Sequence, residues 1–270
     1  MAESTLSLTW QDYMTAVGRK VGWVKTGAIW SAMSAARQTE TDRLVQEAYR
    51  QFLDPPLVLE DVQPHQWTFL TPIQTIDVTS GTEDYEMPDD FAGLIGRIWF
   101  PENELKTALH IVGRGQILSL RSSATNSGYP RYAAITPLPR DEWTDGTGQR
   151  FQLMIYPTPD ADYTFAYTAN IITNKMDSTD ANKYPIGGEK HAETILASCL
   201  ERAENYIEQA QGAEYARWIQ RLRASIMIDL DASAPETMGM LGDRNNLYGN
   251  RYCDRSEYVS FEGNIPGLTP

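Results

Sequence analysis

The hydrophobic period of this chain changes twice, and that change limits what it can fold into. Up to Asp54-Pro55-Pro56 apolar residues recur every three or four positions. From about residue 57 they recur every second position, and from about residue 185 the helical spacing returns. A period near 3.6 gives a helix one apolar stripe, and a period of 2 gives a strand one apolar face. Strands grouped in the middle and helices grouped at both ends predict an α+β fold, not alternating α/β. The expected architecture is terminal helices forming a helical bundle, an inserted antiparallel β block and an extended C-terminal arm. The corresponding segments are 1–56, 57–184, 185–231 and 232–270.

Local signals fill in this frame. Thr9 is placed to cap a helix carrying Trp10, Tyr13, Met14, Val17 and Val21, with Gly18 and Gly22 weakening its end. A loose segment rich in Gly, Ala and Ser is expected to follow. Thr39 or Thr41 then caps a helix with the stripe Leu44, Val45, Ala48, Tyr49 and Phe52, which Pro55 and Pro56 stop. In the middle block, Trp67 to Leu70, Ile73 to Val78 and Leu94 to Phe100 read as strands. His110 to Val112 and Gln116 to Leu120 read as two strands of a hairpin turning at Gly113-Arg114-Gly115. Phe151 to Tyr156 and Tyr163 to Thr168 form the best-patterned pair, joined by turn residues from Pro157 to Asp162. After Gly187 and Gly188 a stripe runs from Ala192 to Ala210, breaks at Gly212 and resumes from Tyr215 to Ile226. Two helices, or one long helix with a break, satisfy it equally.

Past Asp231 neither period survives, and Gly, Pro and Asn punctuate the chain. Several large apolar residues persist there. This predicts an arm that orders on a partner, with Tyr248, Tyr252, Tyr258 and Phe261 filling pockets and Arg251 and Arg255 pairing with acids. Fixing a residue costs roughly 1–2 kcal/mol, so such an arm must bury substantial area when it docks.

Composition excludes several classes. The 270 residues carry 36 acids against 23 Lys and Arg, a net charge of −13, with 41% hydrophobic residues. The apolar content excludes a wholly disordered chain. The charge argues against wrapping a phosphate backbone, where affinity comes mainly from cations. No apolar run approaches the ~20 residues of a membrane span. The first residues lack the pattern of a signal peptide. Cys199 and Cys253 stand alone, which predicts no disulfide framework and a reducing compartment.

Chemistry-bearing residues are sparse in their patterning. His65, His110 and His191 lie far apart, and Glu189 and Glu193 beside His191 suit a helix N-terminus without a metal. Asp84, Asp89 and Asp90 cluster but lack a calcium-loop spacing, and Pro88-Asp89-Asp90 is turn chemistry. There is no nucleophile elbow, P-loop or dinucleotide fingerprint. Cys199 falls on an apolar stripe and reads as core. Arg97, Arg114, Arg121, Arg131, Arg140 and Arg150 lack the interleaved aromatics of a single-strand nucleic-acid path. No catalytic residue, cofactor or metal is expected.

The order of segments resembles the phage head–tail adaptor (connector) proteins, which form a ring below the portal. The pieces that carry the resemblance are Leu8 to Gly18, Leu44 to Phe52, Trp67 to Phe69, and Gly81 to Phe91 with its Tyr85, Pro88 and Phe91. Tyr129 to Tyr132, Ile155 to Asp160, Tyr163 to Tyr167 and the closing helical pair complete the set. The resemblance implies a non-enzymatic ring of about twelve copies, which bury two different faces in head-to-tail contacts. It implies a helical side docked on a portal protein and a β block facing a tail or nozzle protein, at the virion head–tail junction after assembly in the host cytoplasm. DNA would pass through the channel without specific binding, and the C-terminal segment would reach onto the portal. Two other readings stay open on the residues alone. One is a tail-associated β-type module recognising saccharide through its tyrosines. The other is a hydrolase using Asp84, Asp89 or Asp90.

Overall fold

Helix α1 (Trp10–Lys20) begins where Thr9 closes a capping box. The Thr9 side chain accepts from the Asp12 amide, and the Asp12 carboxylate accepts from the Thr9 amide at 2.9 Å. In the computed structural model, the described residues are 6–56, 65–101, 108–123, 126–138 and 150–233. They form an α+β protein with helices α1, α2 (Ala35–Leu53), α3 (Arg114–Ser123), α4 (Glu189–Glu208) and α5 (Ala213–Ser233). The strands are β1 (Ile73–Val78), β2 (Asp84–Glu86), β3 (Phe91–Trp99), β4 (His110–Ile111), β5 (Tyr132–Pro137), β6 (Phe151–Tyr156) and β7 (Tyr163–Ile171).

Helices from both ends of the chain share one core. Trp10, Tyr13, Met14 and Val17 of α1 meet Leu44, Val45, Ala48, Tyr49 and Phe52 of α2. Ile195, Ala197, Cys199 and Ala203 of α4 and Trp218, Leu222 and Ile226 of α5 complete it. All but Ala197 belong to the predicted stripes, whereas Tyr206, Ile207 and Ala210, at the end of the stripe predicted for α4, are exposed. α4 and α5 run antiparallel, with Thr194 bonded to Ser225 at 2.6 Å near one end and the Glu204 carboxylate accepting from the Glu214 amide at 2.9 Å near the other. α1 lies parallel to α4. Its Tyr13 hydroxyl donates to the Ala192 carbonyl at 3.3 Å, and its Lys20 reaches Glu214 at 2.9 Å.

Gly212 separates α4 from α5, so the interrupted stripe is two helices. A Cβ on Gly212 would come within 2.5 Å of the Glu204 carboxylate. The missing side chain lets Glu204 reach the exposed amides that begin α5, the favoured place for an anion.

The middle block holds two sheets, ordered β1-β7-β3 and β2-β6-β5-β4. Ile73 to Val78 pair antiparallel with Thr168 to Tyr163, and Tyr132 to Pro137 pair antiparallel with Tyr156 to Phe151. The short β4 pairs parallel to β5, and the other strand pairs of the two sheets are antiparallel. Val78, Phe91, Ile98, Leu153, Ile155, Phe165 and Tyr167 fill the space between the sheets. Ile171 touches both this core and the helical one.

Four local expectations are corrected, the first being the pairing of Phe151 to Tyr156 with Tyr163 to Thr168, which lie in separate sheets. α2 starts at Ala35, with Ser34 at its N-cap position, so its first turn lies inside the segment expected to be loose. Ala35, Ala36 and Arg37 are good helix formers. The Thr39 and Thr41 hydroxyls are not caps. They donate back to the Ala35 and Arg37 carbonyls, at 3.1 and 2.8 Å. Trp67 to Leu70 is not a strand, because Thr68–Leu70 is a 3₁₀ turn held by distant partners. Gly113 to Leu120 is not a hairpin with a strand but the start of α3. Ile117, Leu118 and Leu120 suit either period, and packing decides. Ile117 and Leu120 lie on Ala134, Met154 and Tyr156, on the face of the four-stranded sheet that points away from the inter-sheet core.

Candidate functional site

The helical layer meets the β block at Trp67, which is fully buried. Its indole N–H donates to the Phe52 carbonyl at the end of α2, at 2.8 Å. Its ring lies 4.7 Å from Phe52, 5.3 Å from Phe69, 4.8 Å from His65 and 5.2 Å from His191. Two histidines separated by 126 positions in sequence therefore flank one tryptophan.

Asp229 of α5 ties this junction. It is buried, and its carboxylate accepts from the Thr68 hydroxyl at 2.5 Å, the Thr68 amide at 3.1 Å and His65 Nε2 at 2.9 Å. Three donors compensate the cost of burying the carboxylate. This anchoring holds Trp67 to Leu70 as a turn. Sequence reasoning missed Asp229, because its partners stand more than 160 positions away. The only local signal was an acid on the same helical face as Ile226 and Leu222.

His191 sits among Phe52, Trp67 and Phe69, and among the described residues its Nδ1 has no hydrogen-bond partner. Burial lowers its pKa from the ordinary 6.5, with Asp229 opposing that fall and Lys190 and His65 adding to it. Glu201 of α4 is buried too. Burial raises its carboxyl above the usual range, Arg202 opposes the rise and Glu204 adds to it. Cys199 is a buried free thiol whose pKa burial pushes up, the opposite of a reactive nucleophile.

The remaining candidates are spread apart. Asp84 pairs with Arg121 at 2.8 Å, Asp89 pairs with Arg150 at 2.5 Å, and Asp90 accepts from the Gln74 amide at 3.4 Å. Among the described residues no group of three or more His, Cys, Asp or Glu is placed to hold a metal. The tyrosine of the Tyr85, Pro88, Phe91 segment has a structural task. Its hydroxyl donates to the Thr79 or Thr82 carbonyl, at 2.8 and 3.0 Å, and accepts from the Thr79 amide at 3.0 Å. Met87 and Phe91 then enter the inter-sheet core. Arg121 and Arg150 are spent on internal ion pairs, Arg114 and Arg131 are exposed, and Arg140 lies outside the described residues. His110 stands apart from the other two histidines, beside the Tyr132 ring.

A groove of about 1260 Å³ opens beside the junction, lined by Arg50, Trp67, Leu70, Ile172, Thr173 and Arg202 among others. No helix among the described residues is long and apolar enough to cross a membrane. The arm residues Tyr248, Arg251, Tyr252, Arg255, Tyr258 and Phe261, and Cys253, lie outside the described residues.

The geometry defines an α+β scaffold in which Asp229 of α5 ties the helical layer to the segment that leads into β1. The family described as SU10 adaptor protein matches residues 8–241, and the chain belongs to that family. The match agrees with the phage adaptor class that the order of segments resembles. No curated protein matches the chain.

Proposed function

We propose that this protein is a structural head–tail adaptor of a tailed phage. In this reading about twelve copies form a ring that docks on the portal, joins it to a tail or nozzle protein and leaves a channel for DNA. The carrying observation is the family match over residues 8–241, which spans both the helical layer and the β block. Two features of the chain support the finer reading. A ring needs two dissimilar faces on every copy, and a helical layer fused to a pair of sheets supplies dissimilar faces. A net charge of −13 per copy, repeated around a channel, repels DNA, so DNA passes without sticking.

The protein works without catalysis, cofactor or metal, at the head–tail junction of the virion. Residues 232–270 act as the fastening, and Tyr248, Arg251, Tyr252, Arg255, Tyr258 and Phe261 are its anchors on the portal. Ordering the arm on contact gives the ring its attachment only where a portal is present.

Native mass spectrometry of the full chain mixed with the portal protein of its own virus tests the reading. The expected species holds several copies of this chain per portal assembly. A mixture in which the chain stays monomeric and unbound contradicts it.

A further inference from the structure

The outer face of α5 combines arginines with exposed aliphatic residues. From Tyr215 to Ile228 it contains Arg217, Arg221 and Arg223 and no acid, and Arg217 also lies 3.6 Å from Glu214 one turn earlier. Arg217, Arg221, Ala224 and Ile228 follow one another at spacings of three and four, so they share a face. All four are exposed, and so are the adjoining Met227 and Leu230. Met227 is 53% exposed, Leu230 44% and Ile228 40%. The opposite side of the helix, Trp218, Leu222, Ser225 and Ile226, is buried in the helical core. A basic stripe ending in exposed aliphatic residues is a surface built to be covered.

Charge complementarity points to the occupant. At the far corner of the β block, Asp77, Asp160 and Asp162 are exposed and close together. Ser80 donates its amide to Asp162 at 2.9 Å, Thr164 donates its hydroxyl to Asp77 at 2.7 Å, and Tyr163 donates to Asp160 at 2.6 Å. All three donors are neutral groups. The Gly81 amide donates to the Pro159 carbonyl at 2.9 Å and locks the two loops of this corner together. DNA is the other polyanion available to the arginines, but a phosphate backbone leaves Met227, Ile228 and Leu230 wet, whereas a protein surface buries them.

We infer that the α5 face of one copy docks against the acidic Asp77–Asp160–Asp162 corner of the next copy. This inference rests on the ring reading and names its subunit contact. Such a contact is heterologous, with different faces meeting at each step, as closure of a ring requires. Complementary charge also fixes the register between copies and speeds their encounter.

The test is photo-crosslinking of the full chain assembled on the portal of its own virus, with Ala224→p-benzoylphenylalanine as the probe. The expected product joins two copies of this chain, with the far end mapping to residues 77–86 or 157–164. Arg217→Glu with Arg221→Glu lowers its yield roughly tenfold, and adding Asp160→Lys with Asp162→Lys restores it. Circular dichroism confirms that each variant is folded. A product joining the probe to the portal or to DNA overturns the inference, as does a chain–chain product unmoved by the charge swap. In those cases several copies per portal, counted by native mass spectrometry, leave the ring reading standing. A single copy per portal overturns both.

Discussion

Asp229 shows how much of this molecule is decided by single polar side chains. Its carboxylate holds His65 and both donors of Thr68 across the junction between helices and sheets. Removing it breaks three part-buried hydrogen bonds. Asp229→Ala is therefore expected to lose about 2–4 kcal/mol in urea denaturation. His191 supplies a pH dependence. Its folded pKa is lowered by burial, so the unfolded chain binds the proton more readily. That contribution to stability is full above the ordinary pKa of 6.5 and is lost as pH falls through it. Between about pH 7.5 and about pH 5.5 the wild type is expected to lose more Tm than His191→Phe, which keeps the ring contacts with Trp67 and Phe69 but cannot be protonated. An equal loss in both proteins contradicts this assignment. Neither residue was legible as part of a junction. An acid and two histidines scattered over 164 positions share no spacing, and only the folded chain brings them to Trp67.

Elements were read best where two independent signals agreed. Thr9 and Asp12 at capping-box spacing, followed by the Tyr13, Met14 and Val17 stripe, mark α1. Alternation in Phe151 to Tyr156 and Tyr163 to Tyr167 marks β6 and β7, although these strands lie in different sheets and do not pair with each other. The errors came where periodicity was ambiguous and a tertiary contact decided. Ile117, Leu118 and Leu120 fit a strand or a helix, and the bare face of Ala134, Met154 and Tyr156 selects the helix. If α3 is a packed layer of the fold, then Ile117→Ala is expected to cost about 2–4 kcal/mol in urea denaturation. A cost under about 0.5 kcal/mol, the range of surface substitutions, would mean that α3 covers nothing. The α+β class survived these local errors because it depends on where helical and strand periods are grouped, not on any one boundary.

For the whole molecule, the described fold and the proposed fastening separate at the end of α5. Among the described residues, the helical core and the inter-sheet core draw on none beyond Ile226. Truncation after Ser233 is thus expected to leave Tm within about 2 °C of the full chain while abolishing stable association with the portal. Undiminished association of the truncated chain in a pull-down would remove the arm from the account. At this scale the sequence spoke through its overall pattern. The grouping of periods, the acidic balance and the order of segments pointed to an adaptor, while the contacts between copies have no signature in one chain. The most direct test is an electron cryo-microscopy image of the portal bound to this protein, viewed down the channel axis. The account predicts a closed ring of repeated copies around an open channel, with helical and sheet layers at different heights. A single copy, or an assembly with no continuous channel, would contradict it.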